Sequence, residues 1–391
     1  MKILFIILML IATLISLPFV FVLGLQIVWS TIYPYVEGVY SLLIIFIYAY
    51  IWITIIKRVR GKRLSRKYHI CFIVPILVCF SVLGGTMIYQ NYTNGYDKVS
   101  NEVNLQEYEP FNSEKLAVLD EESTYKMQEP LVTLDGATAV YPLYATFTQA
   151  VYPKGDYPLV DNDWGKVTCT TTPVAYDRLL HKEVDMIFVA APSKEQKEEF
   201  DKIKEELVMT PIGKEAFVFF VNYQNPVKGL SSKQVKDIYS GKIKNWQEVG
   251  GEDRDIRAFQ RPEGSGSQSA LIRMMQGTPL MEPEKRDVAS GMGDIIAQIA
   301  EYENRDNALG YSFRYYTQQM VANKDIKLLA IDGVEPTIEN IRNDTYPITN
   351  QFYAIYLKSN QHKNIRPFLD WILSPQGQEL VTKTGYVGLH E

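Results

Sequence analysis

Cysteine and histidine are scarce in this chain of 391 residues, with three of the first and four of the second. Three cysteines are too few for a disulfide framework. Cys71 and Cys79 fall inside an apolar segment and read as small fillers, while Cys169 stands alone. His69, His181, His362 and His390 are scattered, and the acidic residues form no metal-ligand spacing, so no metal site, no cofactor and no catalytic residues are expected. A hydrolase of phosphoesters would need a constellation that is missing. No Gly-Lys-Ser/Thr follows the glycines, which excludes a nucleotide-cradling loop. Internal repeats and low-complexity segments are also absent from the sequence.

Charge is missing from residues 3–29 and 40–56, and 69–89 carry only His69. Each run is long enough, or nearly so, to cross about 30 Å of hydrocarbon, so three transmembrane helices are expected. A cleaved signal peptide competes for the first run, but the run exceeds the usual apolar region of about 7–15 residues and shows no evident cleavage site. Lys57, Arg58, Arg60, Lys62, Arg63, Arg66 and Lys67 lie between the second and third runs, whereas the link at 30–39 holds only Glu37. The positive-inside rule puts the basic link in the cytoplasm and everything after about residue 90 outside, on a multi-pass cell-membrane protein.

The net charge of −5 is unevenly spread: residues 1–90 carry +7, leaving −12 on the rest. An acidic outer part argues against a nucleic-acid partner. A small anion remains admissible, because local dipoles and hydrogen bonds hold it against the net charge.

Residues 91–129 are polar and lack a sustained apolar period, as expected of a linker. Beyond them apolar runs alternate with helical patterns: strands near 130–134, 166–170, 185–190, 216–222, 256–259 and 351–357, helices near 139–152, 173–182, 232–240, 267–276, 292–303, 365–373 and 375–384. This is the rhythm of an α/β fold.

At three points a strand gives way to a helix through a loop rich in Gly, Ser and Thr, and a helix start offers unpaired N–H groups and partial positive charge. The first loop is Asp135-Gly136-Ala137-Thr138-Ala139, which an ordinary cap would also explain. The second is Cys169-Thr170-Thr171-Thr172-Pro173, where proline suits the first helical position and Thr172 reads as the cap. The third, Arg261-Pro262-Glu263-Gly264-Ser265-Gly266-Ser267-Gln268, brings two serines and an arginine into one turn whose glycines allow close backbone approach. Its spacing is not the Gly-x-Ser-x-Gly elbow of hydrolases. Three loops of neutral donors with one cation suit a small oxyanion.

These loops resemble those of the phosphate-binding proteins that serve ABC phosphate uptake, within the type 2 periplasmic-binding-protein fold. The resemblance covers roughly 130–391 and extends to Asn225-Pro226-Val227, to the stretch from Val235 through Asp237-Ile238-Tyr239-Ser240-Gly241-Lys242 to Asn245-Trp246 and Gly250-Gly251, and to Ala308-Leu309-Gly310-Tyr311 and Tyr346-Pro347-Ile348. Composition divides the chain into a membrane part (1–90), a linker (91–129) and a solute-binding domain (130–391), and for the last the resemblance implies two α/β lobes; the membrane part is a departure from the family, whose members usually carry a signal peptide or a lipid-modified cysteine. The solute-binding domain has one lobe at 130–215 and 348–391 and a second at 216–347, with crossings near 212–222 and 346–357.

By motif, the resemblance places phosphate on Thr138 and the Ala139 backbone, on Thr170, Thr171 and Thr172, and on Arg261, Ser265, Gly266 and Ser267, with Glu263 orienting Arg261 by a charge pair. Inorganic phosphate or a related oxyanion is the expected ligand, ABC permease subunits the expected partners and the lipid bilayer the support; a sensor using the same fold without transport is the alternative. The sequence departs from the family at Ala191-Pro192-Ser193, where members often carry an aspartate that accepts the proton of the bound phosphate. That leaves phosphate against other oxyanions open.

Overall fold

The computed structural model describes residues 35–62, 65–94, 103–159, 165–284, 287–289, 291–301 and 306–389. The chain divides into two compact units, Met1–Val99 and Ser100–Glu391. The apolar run expected at 3–29 lies outside the described residues.

In the first unit, α1 (Tyr35–Val59) and α2 (Arg66–Asn94) pack on one another. Their apolar stretches, Val39–Val59 and Arg66–Gly85, are each long enough to cross a membrane. Neither is a core helix: Leu42, Ile45, Ile73, Val74, Leu77, Val78 and Phe80 all stand exposed. The two helices are pinned near the basic link, where the Tyr50 hydroxyl is 2.7 Å from His69 Nδ1 and Lys57 Nζ sits 3.4 Å from the centre of the Tyr68 ring.

The second unit is a two-lobed α/β structure. Its strands are β1 (Leu134–Gly136), β2 (Met186–Ala190), β3 (Leu207–Asn222), β4 (Gly229–Leu230), β5 (Arg257–Ala258), β6 (Ala308–Phe313), β7 (Ile326–Leu328), β8 (Ala330–Ile331) and β9 (Thr349–Leu357). Its helices are α3 (Tyr141–Val151), α4 (Thr172–Leu180), α5 (Lys194–Lys202), α6 (Ser232–Tyr239), α7 (Gly266–Met275), α8 (Met292–Ala300), α9 (Ile338–Arg342), α10 (Ile365–Ile372) and α11 (Pro375–Thr384).

β3 runs through both lobes, and the chain returns at the start of β9, where Ile348 packs in one core and Phe352 in the other. The first half of β3 pairs antiparallel with β9, from Leu207 opposite Leu357 to Ala216 opposite Thr349, with a register shift between Pro211 and Gly213 where proline has no N–H to give. The second half pairs with β6 and β7 instead. The hydrophobic core changes with it: Ile212 packs in a core with Phe188, Phe147, Phe368 and Trp371, whereas Ala216, Phe217 and Phe219 pack with Tyr239, Trp246 and Tyr311. The unbroken run Ala216 to Val221 is wholly buried, as both faces of a covered strand require. Around β3 the sheet order is β1-β2-β9-β3-β6-β5, with β1 parallel to β2 and β5 parallel to β6.

Two expectations are corrected. The stretch 91–129 is not a linker throughout, because Tyr108, Leu116 and Met127 are buried in the core of the first lobe. The segment from 103 is a strap held by isolated anchors: Met127 N–H donates to Val151 O (2.7 Å) and Phe111 N–H to Gln149 Oε1 (2.9 Å). The run expected as a strand at 166–170 forms only an isolated bridge from Val167 to Leu134, since the chain must turn there into the threonine loop.

Candidate functional site

The three loops meet. A cleft of about 690 Å³ is lined by Thr138, Cys169, Thr170, Thr171, Thr172 and Arg178 from the first lobe and by Arg261, Glu263, Ser265 and Gly266 from the second. The lobes touch at its floor: a Cβ on Gly266 would stand 3.0 Å from Thr172 Oγ1, so glycine lets two helix starts abut.

Each loop is set by local chemistry. At the first, Ala137 N–H donates to Phe188 O (2.9 Å) and a single turn of 3₁₀ helix, Thr138–Val140, leads into α3. At the second, the cap position of α4 is Thr171 and not Thr172 as expected, because Thr172 already begins the helix; Thr171 makes no side-chain capping bond and holds φ 93° and ψ 161°, a region that non-glycine residues scarcely adopt. Pro173 follows in the first turn, where its missing N–H costs nothing. At the third, Gly264 takes φ +79° and Ser265 caps α7, its Oγ accepting from Gln268 N–H at 3.3 Å. The N–H groups of Gly266 and Ser267 precede the first bond of that helix, from Ser269 to Ser265 O (2.9 Å).

Arg261 is held by its backbone, whose N–H is 3.0 Å from Gln268 Oε1 and 2.9 Å from the Tyr311 hydroxyl. Its Nη1 lies 3.4 Å from Ser267 Oγ. Burial pushes the Tyr311 phenol above its ordinary range, so it stays a neutral hydroxyl. Glu263 is exposed on the rim.

Two of the expected residues stand apart. Ser267 is wholly buried behind Arg261, and Ala139 lines a small adjoining cavity with Glu215 and Met292. The sequence reading also missed an ion pair. Asp135, expected as a simple cap, is fully buried and accepts from Gly136 N–H (2.7 Å), Thr170 N–H (2.9 Å), the Thr170 hydroxyl (2.7 Å) and Arg178 Nη1 (2.6 Å). Arg178 Nη1 also reaches Thr168 Oγ1 at 2.7 Å. The signal was available only in three dimensions, because Asp135 and Arg178 lie on different elements. Val103 and Leu105 of the strap, with Gly291, Met292 and Tyr316, complete the wall.

Burial pushes the Cys169 thiol up to about 12, with the Asp135 charge adding to it. At Ala191 the backbone carbonyl is engaged from the other lobe by Arg273 Nη1 at 3.2 Å.

Comparison with known proteins decides the family. A family model described as the PBP superfamily domain matches residues 110–376. The chain belongs to the PBP superfamily. Among curated members it is similar to the phosphate-binding protein PstS of Bacillus subtilis, 33% identical over 170 residues, which are 43% of this chain and 53% of that one. It therefore matches about half the length of that relative. The phosphate-binding protein PstS of Borreliella burgdorferi is 23% identical over 270 residues, 67% of this chain and 91% of that one. Among solved structures, a phosphate-bound Clostridium perfringens protein assigned as a phosphate ABC transporter substrate-binding protein superposes with a TM-score of 0.53 at 25% identity, covering 66% of this chain and 99% of that chain.

Proposed function

We propose that this member of the PBP superfamily binds phosphate, or a similar tetrahedral oxyanion, in the cleft between its lobes and presents it to an ABC transporter at the membrane surface. The observation that carries the reading is the meeting of three loops that end in helix starts around Arg261, all lining one cleft. The N–H groups of Thr138 and Gly266, the hydroxyls of Thr170, Thr171, Thr172 and Ser265 and the Arg261 fork are the contacts we assign. A planar fork fits two oxyanion oxygens at once. Glu263, exposed beside Arg261 in the same loop, is the group we assign to orient it by a charge pair. Ligand held by both lobes favours the closed state by the contacts it makes only there.

The exposed apolar faces of α1 and α2 support a membrane anchor of at least two spans, with the basic link inside and the binding unit outside. Delivery to a transporter is distinguished from sensing by co-purification: ABC permease subunits retained with the tagged chain favour delivery. Titration of the full chain in detergent with inorganic phosphate tests the ligand. Saturable heat is the expected result, and its absence with phosphate but presence with molybdate would reassign the cargo.

A further inference from the structure

We propose that Thr170, set by Asp135, accepts the hydrogen of a protonated oxyanion, so that the cleft takes hydrogen phosphate and rejects fully ionised anions such as sulfate. This rests on the reading of the cleft as an oxyanion site.

Hydrogen phosphate carries one O–H, and in a site built of donors that hydrogen needs an acceptor. Ala191 supplies no acid, and its carbonyl is engaged by Arg273 at 3.2 Å. Asp135 is wholly buried and already receives four donors: on Oδ1 the N–H groups of Gly136 (2.7 Å) and Thr170 (2.9 Å), on Oδ2 the Thr170 hydroxyl (2.7 Å) and Arg178 Nη1 (2.6 Å). A carboxylate paired with a guanidinium is an acceptor only, so in its bond to Thr170 the hydroxyl donates. That spends the single proton of Thr170 inward. What Oγ1 has left is lone pairs, and Thr170 lines the cleft. An oxygen bearing hydrogen is welcome there; a bare sulfate oxygen meets lone pairs and no donor. Asp135 is thus a positioning residue, and Thr170 is the group that touches the ligand.

The test is calorimetry on the full chain in detergent at pH 8 with phosphate, arsenate, sulfate and molybdate. The wild type is expected to prefer the two hydrogen-bearing anions by about 100-fold or more. Thr170→Val brings phosphate to within about tenfold of sulfate by weakening phosphate alone, and Thr170→Ser restores the preference. Sulfate bound within tenfold of phosphate by the wild type, with phosphate binding intact, overturns this inference and leaves the oxyanion reading standing. Equal weakening of all four anions by Thr170→Val also overturns it, since Thr170 would then be structural. Collapse of the preference in Glu263→Gln instead makes the rim carboxylate the acceptor and overturns it too. Binding of none of the four removes the oxyanion reading itself.

Discussion

Arg178 Nη1 lies 2.6 Å from Asp135 Oδ2, and the two side chains are 6% and 0% exposed. Breaking such a pair on one side strands a buried charge, at a cost of about 3–5 kcal/mol. Arg178→Met is therefore expected to lower the unfolding free energy by that amount. Adding Asp135→Asn should recover part of the loss, because no charge is then left alone. Denaturant unfolding of both singles and the double closes the cycle; simple additivity would mean that the pair is not coupled.

Thr171 holds φ 93° and ψ 161° at the cap of α4, a conformation worth about 1–3 kcal/mol of strain in a residue with a Cβ. Thr171→Gly is expected to raise stability by about 1 kcal/mol after the entropy of the freer unfolded chain is subtracted. A higher melting temperature with weakened phosphate binding is the expected outcome. An unchanged or lower melting temperature would show that the conformation is not strained.

Cys169 lines the cleft, yet its thiol is pushed up to about 12 by burial. Only the thiolate alkylates, so at pH 8 its reaction with iodoacetamide should run about a thousandfold slower than that of an ordinary thiol. The measurement uses the chain carrying Cys71→Ser and Cys79→Ser. Rapid alkylation of the folded protein would contradict the burial argument.

Much of the fold was legible because its signals are local. The run Ala216 to Val221 is apolar on both faces and could only be a covered strand, and Pro173 and Ser265 mark helix starts by composition alone. The start of β3, from Leu207 to Pro211, escaped notice because it mixes Thr210 and Pro211 with apolar residues and is defined by its pairing with β9. The strap from 103 was unreadable for a related reason: its order comes from single anchors such as Tyr108 and Met127, not from a period. In the site, the threonines, serines and Arg261 announced themselves by crowding into short loops. Asp135 with Arg178 did not, because 43 residues separate them and only the topology brings them together.

The meeting of three loops around Arg261 is tested most directly by titrating the full chain and its Arg261→Ala variant with inorganic phosphate under identical conditions. Loss of the bidentate charge-assisted contact should weaken phosphate by about 100-fold while the thermal unfolding transition stays in place. A variant that binds phosphate as tightly as the wild type would place the anion elsewhere and remove the cleft from the function.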